Sequence, residues 1–491
     1  MTRERVNKAT RLVDKGTRLQ TTRLAYLLTR HLVNSLTCQL VNLLYINRMK
    51  KILLLWLMVC TAWAGYAQDG ERNRVERIYE HLMAGRGDSI YAALNDEGRR
   101  QLSPALFNDT WKQLEAQFGK LKSAGAWGED EAQGVKLWHR DLMFERYTLR
   151  LLLSFDADGR MNTIRVVPAP APVGTPAVAF DQTVMEERDV VVETDGYRLP
   201  GTLTLPRVEA GRKVPCVVLV HGSGPNDRDE TIGPNKPFRD LAWLLARRGI
   251  GVIRYDKRTK VYGADVVPKG KKLDMDVETC DDAVVAVKLA AALPEVAADS
   301  IFVLGHSQGG MMAPRIARRA EPVAGIVIVA GLARRFEDAL LEQSEYIAAL
   351  SGTVNEATRA QLDELKRQVE NVKRLGTDAF SDSIPLPLGL PKEYWEFLRT
   401  YDAVKEVSAL TCPVLVLQGE RDYQVTMQDY GLWLMGLISN RQAQLKSYPE
   451  LNHVLQEGKG KSTPFEYNEA RPVPAYVADD IAGFIRGKDV R

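Results

Sequence analysis

The sequence predicts an α/β fold, with a mostly parallel sheet and a helical cap, preceded by a small α+β domain. Two observations lead to this prediction. The later part of the chain contains continuous Val/Ile/Leu runs separated by helical patterns, as expected of parallel strands that are buried on both faces. The earlier part contains helical spacings followed by a hairpin pattern, and a proline-rich stretch divides the two parts.

The composition is that of a soluble globular protein with more than one domain. The chain has 491 residues, of which 45% are hydrophobic and 26% charged. Its formal charge of +3 is unevenly distributed, because residues 68–491 contain 55 basic and 61 acidic side chains. That body gives no indication of nucleic acid or of an anionic membrane surface as a partner.

Segment 49–67 has the layout of an export signal. A methionine and two lysines precede the apolar run Ile52–Trp63, and small residues occupy both specificity positions before a cleavage site at Ala67. We therefore expect cleavage near Ala67 and a periplasmic or secreted protein, with 1–48 an over-extended start. The alternative is a cytoplasmic tail with an uncleaved anchor, although the run is short for a span of about 20 residues.

Three cysteines would remain after cleavage, Cys216, Cys280 and Cys412, and they lie far apart in the sequence. Such spacing makes neither a disulfide framework nor a metal-binding pattern. We therefore expect no cofactor and no metal, and a protein that is held together by its apolar core.

The small α+β domain is predicted over 70–166. Val75, Ile78 and Leu82 recur at helical spacing. Later in the domain, two β-rich runs are joined by the turn Asp156–Gly159, which is typical of a hairpin. This domain carries no catalytic motif, and the proline-rich linker that follows it is predicted over 167–184.

The α/β domain is predicted over 185–488. It begins with two strand patterns that are predicted to pair antiparallel. Five apolar runs follow and are predicted to form the parallel sheet. About 80 residues separate the last two runs, which is too many for one crossover. This interval is largely charged and helical in pattern, and it predicts a helical cap over about 333–408 at the carboxyl edge of the sheet.

Ser307 is the candidate nucleophile. The sequence Ile301–Gly310, IFVLGHSQGG, leads from an apolar strand into a helical pattern, with Gly305 and Gly309 two residues on either side of the serine. A serine that attacks a carbonyl must be presented on a tight strand–turn–helix connection, which such glycines allow. The alternative is a serine that only forms a glycine-rich turn.

Asp422 and His453 complete the order nucleophile, acid, base. Asp422 follows the run VLVLQG, and His453 lies in a predicted loop 31 residues later. The carboxylate would fix the imidazole tautomer that accepts the serine proton. Glu420 and Glu450 are rival acids. Ser307 Oγ and His453 Nε2 are expected roughly 2.6–3.2 Å apart, or farther without substrate.

The oxyanion needs two backbone donors. In this arrangement they are the N–H of the residue after the nucleophile, Gln308, and that of Ser223 in the loop after an earlier strand. His221 and His306 lie in these motifs and are interpreted as structural supports. The charged stretch Asp227–Glu230 is either a substrate rim or a solvated loop.

These motifs resemble the α/β-hydrolase superfamily, in particular its exported esterase and prolyl-aminopeptidase-like branch. The resemblance covers 185–488, and the layout of 70–166 is similar to the nuclear-transport-factor-like α+β domains that precede many such enzymes. It implies that Ser307 is the nucleophile, Asp422 the acid and His453 the base. It does not fix the substrate, because the superfamily includes esterases, peptidases and thioesterases.

The sequence thus predicts an exported, metal-independent serine hydrolase that cleaves small-molecule carboxylic esters through an acyl-enzyme. One alternative is a serine peptidase of the capped aminopeptidase type, acting on short peptides. It would need cap carboxylates to hold an amino terminus, and Glu337, Glu342 and Glu345 are the candidates. A second alternative is a ligand-binding protein with a vestigial hydrolase domain. The sequence gives no indication of the oligomeric state.

Overall fold

The computed structural model divides into two compact units, 1–167 and 168–491. It describes residues 70–490 with the following gaps: 109, 133–134, 146–147, 170–177, 322 and 351–355. The predicted start 1–48, the export signal 49–67 and most of the proline-rich stretch therefore lie outside the described residues. Among the helices that are described, none has the length and apolar character needed to cross a membrane.

The first unit is a group of short helices followed by an antiparallel sheet. Its helices are α1 (70–83), α2 (Gly87–Ala93), α3 (Asp96–Gln101), α4 (Pro104–Asn108) and α5 (Thr110–Phe118). Its strands are β1 (Leu121–Ala124), β2 (Gly128–Ala132), β3 (Val135–Phe144), β4 (Thr148–Phe155) and β5 (Met161–Pro168). Strand β3 pairs antiparallel with β1, β2 and β4, so the longest strand organises the sheet.

The core of the first unit follows from strand alternation. Leu149, Leu151 and Leu153 of β4 are buried at every second position, which directs them to one face of the sheet. After β4 the chain turns at Asp156, whose carboxylate accepts hydrogen bonds from two backbone N–H groups of the turn. Gly159 completes the turn with a φ of 74°, a conformation that favours glycine.

The second unit contains an eight-stranded sheet in the order β13-β12-β11-β10-β8-β9-β7-β6. Strand β7 pairs antiparallel with both β6 and β9. The neighbouring strands β9, β8, β10, β11, β12 and β13, in that order across the sheet, pair parallel. This confirms the predicted fold class. The strands are β6 (Met185–Thr194), β7 (Tyr197–Pro206), β8 (Val214–Val220), β9 (Gly251–Tyr255), β10 (Val296–His306), β11 (Gly325–Val329), β12 (Val414–Gly419) and β13 (Ala443–Tyr448).

Helices cover both faces of this sheet and form the insertion between β11 and β12. They are α6 (Pro237–Ala246), α7 (Arg258–Tyr262), α8 (Asp281–Ala292), α9 (Gln308–Arg319), α10 (Phe336–Ala349), α11 (Glu356–Lys373), α12 (Lys392–Thr400), α13 (Ala403–Ser408), α14 (Met427–Gly436) and α15 (Ala475–Ile485). A single π-helical turn, Asp276–Cys280, precedes α8, and 3-10 turns lie at Pro387–Gly389 and Pro464–Asn468.

The apolar runs of the parallel strands are explained by burial on both faces. In β8, Cys216 and Val218 belong to the core on one side of the sheet, whereas Val217 and Leu219 belong to the core on the other side. Every position along such a strand loses its contact with water, so the usual alternation of apolar and polar residues disappears.

The insertion is attached to the body of the second unit at several points. Asp429 of α14 is fully buried and accepts hydrogen bonds from the backbone N–H groups of Ala333 and Arg334, where the insertion begins. Farther along, the Tyr401 hydroxyl donates to the carbonyl of Met311 in α9, at 2.9 Å. The helices of the insertion therefore pack next to the helix that follows the candidate nucleophile.

Candidate active site

Ser307 occupies the sharp turn between β10 and α9. Its φ is 55°, an uncommon conformation for a residue with a side chain. The flanking glycines are required by close packing. A Cβ atom on Gly305 would come within 2.1 Å of the Gly309 carbonyl oxygen, and one on Gly309 within 2.2 Å of the Val220 carbonyl oxygen. The turn thus has the strained geometry that presents a serine at the end of a strand.

Asp422 and His453 form a buried carboxylate–imidazole pair. His453 Nδ1 lies 2.7 Å from Asp422 Oδ2, and both side chains are almost fully buried. The other carboxylate oxygen accepts hydrogen bonds from the backbone N–H groups of Gln424 and Val425, at 2.7 and 3.1 Å. These bonds fix the carboxylate, and Nδ1–H donation to it leaves Nε2 as the acceptor of the imidazole.

The rival acids lie elsewhere. Glu420 is exposed and accepts a hydrogen bond from the Ser447 hydroxyl at 2.7 Å, and Glu450 is also exposed. In the described part of the chain, Asp422 is the carboxylate that contacts His453.

The histidine loop packs against the nucleophile turn. His306 Nε2 lies 2.8 Å from the carbonyl oxygen of His453, and the two rings are 4.7 Å apart. The hydrogen bonds among the described residues do not include the expected one from Ser307 Oγ to His453 Nε2. The structure therefore brings the two loops together. The hydrogen bond from Ser307 Oγ to His453 Nε2 stays a prediction.

The two predicted oxyanion donors lie next to Ser307. Gln308 is the first residue of α9, at the end of the helix dipole that favours negative charge. A Cβ atom on Gly222, the neighbour of Ser223, would lie 3.2 Å from Ser307 Cβ and 3.6 Å from its Oγ. Within the described residues, neither the Gln308 nor the Ser223 backbone N–H donates a hydrogen bond. Their role as oxyanion donors stays a prediction.

The side chains of the charged stretch Asp227–Glu230 form contacts within the protein; Glu230 is buried and the other three residues are partly buried. Arg228 pairs with Asp256 through two hydrogen bonds of 3.1 and 2.9 Å. Asp229 contacts Arg254 and lies 2.8 Å from Lys236 Nζ. Partners of Arg228 and Asp229 from distant segments argue against a freely solvated loop, and the substrate rim stays a prediction.

Glu230 connects the oxyanion loop to the nucleophile turn. One carboxylate oxygen accepts the Gly222 N–H at 2.7 Å, and the other lies 2.9 Å from His306 Nδ1. Burial raises the pKa of Glu230, but His306, His221 and the Gly222 N–H together lower it by more, so the net pKa is lowered. Burial lowers the pKa of His306, but Glu230, the His453 carbonyl and Asp422 together raise it by more, so the net pKa is raised. The two groups therefore form a buried ion pair that sequence reasoning missed.

His221 is a neutral structural residue. Burial lowers its pKa to about 4, and its ring lies between Phe238 and Tyr255, at 5.2 and 5.4 Å. No group of three or more His, Cys, Asp or Glu side chains among the described residues is arranged to hold a metal ion. Free cysteines are found at Cys216, Cys280 and Cys412.

A sheet of this strand order, with a strained serine between a central strand and the next helix, is the arrangement of the α/β hydrolases. Residues 214–458 match the family model described as serine aminopeptidase, S33. The chain is also 34% identical over 404 residues to esterase EstD of Thermotoga maritima, which covers 82% of this chain and 92% of EstD. The chain belongs to the α/β-hydrolase family and is a hydrolase.

Solved esterase structures resemble the chain at lower sequence identity. Est1E from Butyrivibrio proteoclasticus is 17% identical, with a TM-score of 0.38 over 61% of this chain and 98% of that one. Esterase Pf2001 of Pyrococcus furiosus is 16% identical, with a TM-score of 0.39 over 65% and 97%. The match to EstD is longer than 168–491 and therefore includes part of the first unit.

Proposed function

We propose that the protein is an exported serine esterase that cleaves carboxylic esters of small molecules through an acyl-enzyme intermediate. Ser307 is the nucleophile, His453 the general base and Asp422 the residue that orients the base. The observation that carries this proposal is the 2.7 Å contact between His453 Nδ1 and Asp422 Oδ2, in a loop that packs against the Ser307 turn.

The reaction proceeds in two halves. Ser307 Oγ attacks the ester carbonyl carbon while His453 Nε2 accepts its proton, and the carbonyl oxygen becomes an oxyanion that accepts the Gln308 and Ser223 N–H groups. The intermediate then collapses, and the imidazolium protonates the leaving alcohol. In the second half, water attacks the acyl carbon while His453 Nε2 accepts a proton from it. The bond to Ser307 Oγ then breaks, the imidazolium returns the proton to Ser307, and the carboxylic acid is released. Each oxyanion donor contributes about 3–4 kcal/mol in comparable sites.

The cap favours an ester over a peptide with a free amino terminus. All three carboxylates that could hold such a terminus already have cationic partners. Glu337 is fully buried beside Arg399 Nη1, at 2.8 Å. Glu342 pairs with Arg334, and Glu345 lies 2.9 Å from Lys366 Nζ. The name of EstD supports the same choice, whereas the description of the matching family model keeps a peptidase as the second candidate.

Export is the remaining part of the proposal. The support comes from the sequence of segment 49–67, with its basic start, apolar run and small residues before Gln68. Mass spectrometry of the protein recovered from the periplasm or medium should give a chain that begins at Gln68. Recovery of the uncleaved chain from membranes would contradict export with cleavage.

The decisive experiment compares the wild-type protein with Ser307→Ala. Both are assayed on p-nitrophenyl esters from acetate to dodecanoate and on aminoacyl p-nitroanilides. We expect esters to be cleaved by the wild type, with a loss of at least about 10³-fold in kcat for the variant. The matched control is Ser408→Ala, which removes an exposed hydroxyl at the end of α13 and should retain full activity.

Two results would contradict the proposal. Cleavage of anilides in preference to esters would favour the peptidase. Ester cleavage that survives in Ser307→Ala would remove Ser307 from the mechanism.

A further inference from the structure

We infer that Lys257 is a positioning residue for the oxyanion site, and that it acts by holding the carbonyl of Gly222. The inference rests on the proposed Ser307 mechanism and deepens it. Lys257 follows β9 by two residues and is almost fully buried. Its Nζ donates a hydrogen bond to the Gly222 carbonyl oxygen at 2.9 Å.

The contact acts on the peptide that carries an oxyanion donor. The Gly222 carbonyl and the Ser223 N–H belong to one planar peptide unit, and in a trans peptide they point in opposite directions. An ammonium bound to the oxygen therefore fixes the direction of the N–H. It also polarises the peptide, because a hydrogen bond to a charged donor is stronger than a neutral one. Asn226 Nδ2 supports the same oxygen at 3.1 Å.

The preceding peptide is held as well. The Gly222 N–H donates to Glu230 Oε1 at 2.7 Å. The Glu230 carboxylate and the Lys257 ammonium therefore fix the two peptide groups on either side of the Gly222 Cα atom. This arrangement leaves the loop little freedom to rotate. Catalysis by preorganised donors depends on such rigidity, since the donors must already point to the position where charge develops.

The charge of Lys257 is balanced inside the protein. Its Nζ lies 2.6 Å from Glu278 Oε1, and Glu278 is also buried. Burial raises the pKa of Glu278, but Lys257 together with hydrogen bonds from Tyr394 and Gln308 lowers it below its ordinary value, so the carboxylate stays charged. Glu278 lies in the π-helical turn Asp276–Cys280, an irregularity that is frequent at functional sites.

The network also reaches the second oxyanion donor and the cap. The hydroxyl of Tyr394, on α12, donates to Glu278, and the side chain of Gln308 lies 3.4 Å from the same hydroxyl. Gln308 is the residue whose backbone N–H is the other proposed donor. One buried network thus contacts Gln308, the carbonyl of the peptide that carries the Ser223 N–H, and a helix of the cap. Lys257 is not one of the reacting groups of the proposed mechanism.

A neighbouring cation provides the matched control. Arg258 is fully buried and donates from Nε to Asp282 at 2.7 Å. Replacing either cation by methionine leaves a buried carboxylate without its partner, so both variants should lose thermal stability. Of the two cations, Lys257 contacts Gly222 and Arg258 does not. A loss of rate that is specific to Lys257 therefore separates positioning from general destabilisation.

The test measures kcat and KM for p-nitrophenyl acetate, and inhibition by phenylboronic acid, in five proteins. They are the wild type, Lys257→Met, Lys257→Arg, Arg258→Met and Ser307→Ala. In Lys257→Met we expect kcat to fall about 10- to 100-fold and the boronate Ki to rise in parallel, with KM changed less than about two-fold. Lys257→Arg should recover at least part of the loss, and Arg258→Met should retain the wild-type kcat.

If Lys257→Met does not fold, the double variant Lys257→Met, Glu278→Met removes both charges and replaces it in the same assays. The inference is overturned if the Lys257 variant retains its kcat and boronate affinity while Ser307→Ala is inactive. Equal losses in the Lys257 and Arg258 variants also overturn it. Activity in Ser307→Ala would instead overturn the proposed function, so the two failures are distinguishable.

Discussion

Ser307 and Glu230 share a backbone feature that is uncommon for residues with side chains. Their φ values are 55° and 52°, and both lie against Gly222. Such conformations cost about 1–3 kcal/mol each and persist only where the surroundings enforce them. At the residue scale, two of the six described non-glycine residues with a positive φ therefore lie where the oxyanion loop meets the nucleophile.

The Glu230–His306 pair gives a pH-dependent prediction. The pKa of Glu230 lies below its ordinary 4.5, so its stabilisation is present above about pH 4.5 and is lost as the pH falls through the folded pKa. The pKa of His306 lies above its ordinary 6.5, so its stabilisation is present below about pH 6.5 and is lost as the pH rises through the folded pKa. His221, His453 and Asp422 are the other titratable groups around the pair.

Glu230→Gln should therefore lower the free energy of unfolding by about 3–5 kcal/mol between pH 4.5 and 6.5, because it leaves a buried imidazolium without its partner. Urea unfolding of both proteins across the pH range measures the difference, which should shrink outside that interval. The control is Glu420→Gln, which changes an exposed carboxylate that pairs with Ser447 and not with a histidine. A difference that is independent of pH would contradict a charged pair.

The residue scale also shows how far the sequence could predict the site. The order of Ser307, Asp422 and His453 and their positions after strands could be predicted, because strand ends and turns have characteristic compositions. The roles of Lys257 and Glu230 could not be predicted, since the sequence of a loop does not show whether a charged side chain points inward. Their partners come from segments that only the tertiary fold brings together.

At the scale of elements, the buried strands and the leading antiparallel pair were predicted, and the edge strand β13 was missed. Strands β8, β10, β11 and β12 are continuous apolar runs because both of their faces are covered. Strand β13, with the sequence AQLKSY, is only half-buried along most of its length and has no such run. Backbone pairing with β12 forms it, and pairing leaves no strong pattern in the sequence.

The attachment of the cap gives an element-scale prediction. Asp429→Ala removes the acceptor of the Ala333 and Arg334 backbone N–H groups, and each unpaired buried donor costs about 1–3 kcal/mol. We expect a lower melting temperature and faster hydrogen exchange in α10, measured by mass spectrometry, with turnover of p-nitrophenyl acetate retained. Asp429→Asn keeps an acceptor and should have a smaller effect. Unchanged exchange in α10 would show that Asp429 does not hold the cap.

At the scale of the whole molecule, the second unit contains its own core and all the proposed catalytic groups. The core clusters on the two faces of its sheet are built from residues of 168–491 alone. Domains with their own core commonly fold alone. The match to EstD nevertheless includes part of the first unit, so that unit accompanies the hydrolase in at least one relative.

Residues 168–491 expressed alone should therefore fold and cleave p-nitrophenyl acetate with a kcat within about three-fold of the whole chain. Circular dichroism and steady-state kinetics measure the two properties. An insoluble or inactive fragment would show that the first unit contributes to the folding of the second or to its site.

The absence of disulfides among the described cysteines has a consequence for the redox behaviour of the protein. Burial raises the pKa of Cys216 to about 12 and the pKa of Cys280 well above its ordinary value, so both thiols remain protonated and unreactive. The nucleophile proposed for catalysis is a hydroxyl, which ordinary thiol oxidants leave unchanged. The described fold therefore contains no disulfide bond among Cys216, Cys280 and Cys412 that would have to form during folding. On the proposed export route, the same covalent structure would serve in a reducing compartment and in an oxidising one.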